Sequence, residues 1–202
     1  VFRIALITLF KWKYIILKQK EYLLRNFLGS ALFNYFRILN SIQMGVKIAY
    51  LHGLESNNQG KKNDWLRTLA SVYDPLINYK EKSIYTKLKT EIEEFQPELI
   101  IGSSMGGYFA YHIAKELNIS ALLFNPALHS RTFEPDMAGL IHSENDPFIQ
   151  IVIGENDSVI EPKKTIEIIE NKPNIELTTY DHEHRTPYDV FKKETEKILL
   201  TK

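Results

Sequence analysis

"ELIIGSSMGGYFAYH" runs from Glu98 to His112. An apolar run (Leu99, Ile100, Ile101) stops at Gly102, and a helical pattern begins after Ser103 and Ser104. Consecutive apolar residues mark a strand buried on both faces, as in a parallel sheet covered by helices. A plain turn needs one glycine and any polar residue. Gly102-Ser103-Ser104-Met105-Gly106 instead fits G-x-S-x-G, with the strand before it and the helix after it. In that setting the middle residue, Ser104, takes a strained conformation that projects its hydroxyl from the sheet. Gly102 and Gly106 come close to the turn and to neighbouring strands, where a Cβ would clash. The helix N-terminus adds N–H groups and partial positive charge. A Gly-Ser turn without chemistry is the plainer alternative; the strand–helix context favours a nucleophile.

The pattern continues in both directions as short apolar runs alternating with helical segments. Strands are expected at 46–52, 97–103, 120–125, 149–154 and 175–180, with a weaker one in "LINYK" (76–80). Helices are expected at 62–73, 84–95, 105–117, 162–170 and 187–200. Residues 126–148 are rich in turn formers and read as irregular. The expected architecture is a three-layer α/β/α sandwich with a mostly parallel sheet and right-handed crossovers. In such sheets function gathers in loops at the carboxyl ends of strands.

A serine hydroxyl needs a base, the base an orienting acid, and the oxyanion donors. The chain order serine, acid, histidine is expected here. Asp157 in "IVIGENDSVIEP" lies just past a strand and before a helix. Glu155 and Asp146 are rivals, but Asp146 precedes its strand and falls on the wrong side of the sheet. The base follows the last strand, where "YDHEHRTPYDVF" offers His182 and His184. As a metal motif H-x-H alone is weak, because hydrolytic zinc needs three protein ligands. His112 and His129 read as structural and His142 as a loop residue. The oxyanion donors are expected to be the N–H of Met105, next after the serine, and that of Leu54, in the loop after the first strand. Gly53 lets that loop turn, and His52 braces it.

Composition narrows the partners. The chain has 202 residues, 44% of them apolar, with 25 basic and 25 acidic side chains. That suffices for one domain with a core, and zero net charge argues against nucleic acid. Without cysteine there is no disulfide, thiolate metal site or cysteine nucleophile. The balance hides an asymmetry: residues 1–43 carry seven basic groups and one acid, leaving 18 basic and 24 acidic groups in 44–202. Nine of the 24 aromatic residues also fall in 1–43. This leader could be a signal or anchor, but its longest apolar run, "IALITLF", is short of a membrane span. It could be a basic amphipathic helix lying on a membrane or on its own domain. We favour a third reading, in which "MGVKIAYLHG" from Met44 is the natural start and 44–202 is the working domain.

Taken together, "YLHGLESN", "IGSSMGGYFAYHIAKELNISALLFNPAL", "GENDSVIEP" and "HEHRTPYDVF" resemble the α/β-hydrolase superfamily, and in detail the small YqiA-like esterases. The resemblance covers about residues 46–199. It implies a lidless serine esterase with the triad Ser104, Asp157 and His184. Thr186 stands where that family often has an aromatic, which keeps His182 as the alternative base. Spacing agrees on the missing lid, since only 52 residues separate Ser104 from Asp157. The expectation is a cytoplasmic enzyme that needs no cofactor or metal and cleaves esters of small acyl groups. Thioester hydrolysis on acyl-CoA or an acyl carrier is the alternative within hydrolases, and a non-catalytic binding module the alternative outside them.

Overall fold

The computed structural model describes residues 45–201. The leader 1–43 and Met44 lie outside these described residues. Strand β1 (Lys47–Leu51) leads into helix α1 (Lys61–Leu69), β2 (Ser71–Tyr73) and helix α2 (Ile84–Phe95). Then come β3 (Leu99–Ser103), α3 (Met105–Leu117) and β4 (Ser120–Phe124). The chain closes with β5 (Ile149–Gly154), α4 (Pro162–Ile169), β6 (Ile175–Tyr180) and α5 (Tyr188–Thr201). The six strands form one sheet in the order β2-β1-β3-β4-β5-β6. Every pairing is parallel, so the sheet is more uniform than the mostly parallel one expected.

The inner strands β1, β3, β4 and β5 carry consecutive apolar residues because each of their faces meets helices. Ala49, Leu51, Ile100, Leu123, Ile151 and Ile153 face the layer of α2, α3 and α4. Ile48, Tyr50, Leu99, Ile101, Leu122, Phe124 and Val152 face α1 and α5. Alternate residues of one strand thus serve two cores, as the two-residue period of a strand requires. These layers make the three-layer α/β/α sandwich.

Two sequence expectations are corrected. The helix expected over 62–73 stops at Leu69, because Ala70 turns extended (φ −150°, ψ 164°). The Ser71 N–H then bonds to the Val46 carbonyl at 2.9 Å, and 71–73 joins the sheet edge. Val72 and Tyr73 suit a strand better than a helix. No strand forms at 76–80, because the Ile77 N–H is taken by the His52 imidazole at 2.9 Å rather than by a neighbouring strand. The stretch 126–148 carries no helix or strand, as expected. Among the described residues no helix is long and apolar enough to cross a membrane.

Candidate active site

The parallel sheet sends the carboxyl ends of β1, β3, β4, β5 and β6 to one edge. Ser104 stands there between β3 and α3, with φ 52° and ψ −116°. Such a conformation is rarely adopted by a non-glycine residue and persists only where its surroundings fix it. Here they do. The Ser104 N–H donates to the Phe124 carbonyl at 2.9 Å, and its own carbonyl accepts from Tyr108 at 3.0 Å and Ala127 at 3.1 Å. The flanking glycines are required by close approach. A Cβ on Gly106 would press into the carbonyls of Leu51 and His52, the latter at 2.5 Å. A Cβ on Gly102 would lie 2.6 Å from the Gly106 carbonyl.

Asp157 follows β5 and His184 follows β6. Their side chains meet: His184 Nδ1 lies 2.8 Å from Asp157 Oδ2. The other ring nitrogen, Nε2, lies 3.0 Å from Ser104 Oγ. Asp157 Oδ1 accepts from the N–H groups of Val159 and Ile160, each at 2.8 Å. Burial favours the neutral acid, but the bonds from His184 and these two N–H groups outweigh it and hold the carboxyl below its ordinary range. An ionised Asp157 makes Nδ1 the protonated ring nitrogen, so Nε2 presents its lone pair to the serine. The Asp157 side chain is 1% exposed and that of His184 22%, so the acid is sealed from water and the base faces the opening.

The rivals sit elsewhere. His182 is buried, stacks on Tyr180, and uses Nδ1 on the Glu183 carbonyl at 2.5 Å. Its Nε2 has no partner among the described residues. Glu155 accepts from Thr179 Oγ1, and Asp146 from Asn174 across the far end of the sheet. His129 bonds to the Glu161 carbonyl, and His112 packs edge-on against Tyr108 and Tyr111. Among the described residues no group of three or more acidic or imidazole side chains is placed to hold a metal ion.

The loop after β1 reaches the same place. A Cβ on Gly53 would stand 3.4 Å from Ser104 Cβ, so the backbone entering Leu54 passes directly beside the serine. His52 fixes this loop: Nδ1 donates to the Gly53 carbonyl at 2.8 Å and Nε2 accepts from Ile77. Burial pushes its pKa down, which suits the neutral ring these bonds need. The Tyr79 hydroxyl donates to the His52 carbonyl at 2.5 Å. Met105 is the first residue of α3, so its N–H has no acceptor within the helix. The Gly53 backbone and the first residue of α3 therefore both flank the serine. Sequence reasoning missed Lys62, whose Nζ donates to the Thr186 carbonyl at 2.7 Å and ties the His184 loop to α1. Nothing in the sequence pairs these distant positions.

Comparison with solved structures places the fold. A Xanthomonas campestris pv. campestris protein of the alpha/beta hydrolase superfamily is 18% identical, with a TM-score of 0.61 over 78% of this chain and 98% of that one. A monoacylglycerol lipase of Paleococcus ferrophilus is 14% identical, with a TM-score of 0.60 over 78% and 96%. A Pyrococcus furiosus esterase is 16% identical, with a TM-score of 0.58 over 76% and 79%. The chain has the α/β-hydrolase fold in a minimal form. No functionally curated protein matches it by sequence. The model of the uncharacterised protein family UPF0227 matches residues 47–198, nearly all of the described chain. The chain belongs to the uncharacterised protein family UPF0227.

Proposed function

We propose that this chain is a serine-dependent carboxylic ester hydrolase that works through an acyl-enzyme on Ser104. The observation that carries the reading is the unbroken line from Ser104 Oγ through both nitrogens of His184 to Asp157. His184 Nε2 takes the Ser104 proton as Oγ bonds to the ester carbonyl carbon. The oxyanion points to the N–H groups of Met105 and Leu54. As the tetrahedral intermediate collapses, the bond to the alcohol oxygen breaks and His184 returns the proton to it. Water then attacks the acyl-enzyme by the same route and frees Ser104. Asp157 holds the imidazole tautomer and stabilises its positive charge.

Small acyl groups are the favoured substrates. Residues 126–148, between β4 and β5, build no helix or strand above the serine. They are fastened sideways instead. Thr86 Oγ1 donates to the Ala138 carbonyl at 2.5 Å, Lys89 Nζ to that of Gly139 at 3.1 Å, and the Ile141 N–H to Glu116 at 2.8 Å. The fluorophosphonate reaction of the full chain tests the reading, because the probe reports an activated serine without a known substrate. An adduct on Ser104 that disappears in His184→Ala supports it. Folded protein that takes no adduct rejects it and leaves a hydrolase-fold binding module.

A further inference from the structure

We infer that Asn125 is a positioning residue for this reaction: its buried amide ties the strand end that precedes Asp157 to the loop that carries His184. The inference rests on the serine-hydrolase reading above. Asn125 is the first residue after β4, 1% exposed, with φ 44°. Its Oδ1 accepts from the N–H of Gly154, the last residue of β5, at 2.7 Å. Its Nδ2 donates to the His184 carbonyl at 2.7 Å and reaches Thr186 Oγ1 at 3.4 Å. An N–H can only donate and a carbonyl can only accept, so the amide fits in one orientation. Few side chains could replace it. Aspartate would face the His184 carbonyl with a second acceptor, and leucine would leave both backbone groups buried without partners.

The residues beside Asn125 make the link complete. Phe124 accepts from the Ser104 N–H, and Ala127 donates to the Ser104 carbonyl. The stretch Phe124–Ala127 therefore touches the backbone of the nucleophile, the strand leading to the acid, and the backbone of the base. The acid and base loops also press on each other. A Cβ on Gly154 would lie 2.6 Å from the Glu183 carbonyl, and the Asn156 N–H donates to the His182 carbonyl at 3.2 Å. With the loops packed this closely, the amide determines where the His184 backbone sits. The reach of Nε2 to Ser104 follows from that.

The test compares the full chain with Asn125→Gly and Asn125→Asp. Glycine keeps the positive φ and deletes the amide; aspartate keeps the acceptor and deletes the donor. Three readouts are taken: fluorophosphonate labelling of Ser104, kcat and KM on p-nitrophenyl acetate, and the tautomer of His184 from ring nitrogen correlation spectra. In Asn125→Gly, kcat and the labelling rate are expected to fall at least about ten-fold while KM changes less than about two-fold. The wild-type ring is expected to show one Nδ1–H tautomer, and the variant an average of two. Asn125→Asp is expected to lose kcat and to move the acid limb of its pH profile upward, because a new carboxylate favours the imidazolium. Wild-type rates with a wild-type tautomer in a folded variant would overturn the inference. Should wild-type Ser104 itself fail to label, the hydrolase reading falls, and the tautomer comparison alone decides the role of Asn125.

Discussion

At the scale of single residues, the site combines a strained serine with a fully satisfied acid. Holding Ser104 at φ 52° and ψ −116° costs on the order of 1–3 kcal/mol, which the bonds to Phe124, Tyr108 and Ala127 offset. Under the proposed mechanism Ser104→Ala lowers kcat on a p-nitrophenyl ester by roughly 10⁴-fold or more with the melting temperature nearly unchanged. Asp157→Asn is expected to cost about 10⁴-fold in kcat as well, because an amide can donate to Nδ1 and so favours the wrong tautomer. A variant retaining more than about a tenth of wild-type kcat would remove Asp157 from the mechanism. Asp157 also has a stability role with a definite sign. Its carboxyl lies below its ordinary range in the fold, so its contribution is present above the unfolded value, about 3.9, and is lost as pH falls through the folded one.

At the scale of elements, the elbow works only because α3 lies hard against β1. Gly106→Ala would drive a methyl into the Leu51 and His52 carbonyls, which belong to backbone and cannot swing aside. The expected loss is about 3 kcal/mol of stability, read from urea unfolding. A loss under about 0.5 kcal/mol would show that α3 can shift away from β1. The 126–148 stretch makes the opposite point. Glu116 on α3 accepts from the Tyr85 hydroxyl at 2.6 Å, from Lys89 at 2.7 Å and from the Ile141 N–H at 2.8 Å. A segment fastened to two helices in this way does not open like a lid. Hydrolysis of a short-chain ester should therefore rise smoothly with substrate through its solubility limit; a jump at the interface would contradict this arrangement.

At the scale of the whole molecule, acid sensitivity should come from a histidine remote from the chemistry. Burial, with the nearby His142 and Arg131 charges, pushes the His112 pKa down to about 4. The unfolded chain binds that proton near 6.5, so folding stability falls as pH drops from about 6.5 toward 4. Between pH 7 and pH 5 this single group accounts for about 2 kcal/mol, and His112→Gln should flatten that part of the urea-midpoint profile. An unchanged profile would place the sensitivity elsewhere. Much of the fold was legible because local patterns carried it. Consecutive apolar residues at 99–101 and 151–153 announced strands covered on both faces, and α2 and α3 came out at the bounds their periodicity gave. Tyr73 and Ile77 were misread because sheet pairing and the His52 ring, both distant in sequence, overrode local propensity. Ser104 and its glycines were legible for a similar reason: the elbow is a local structure, and local sterics leave a mark in local sequence. By itself the sequence determined the layered α/β class, the unusual serine and a short list of acids and bases. Only the tertiary structure decided that His184 rather than His182 lies between Ser104 and Asp157, and that Asn125 joins their loops. Those contacts join residues on four different strand ends, and which ends become neighbours depends on the packing of the parallel sheet.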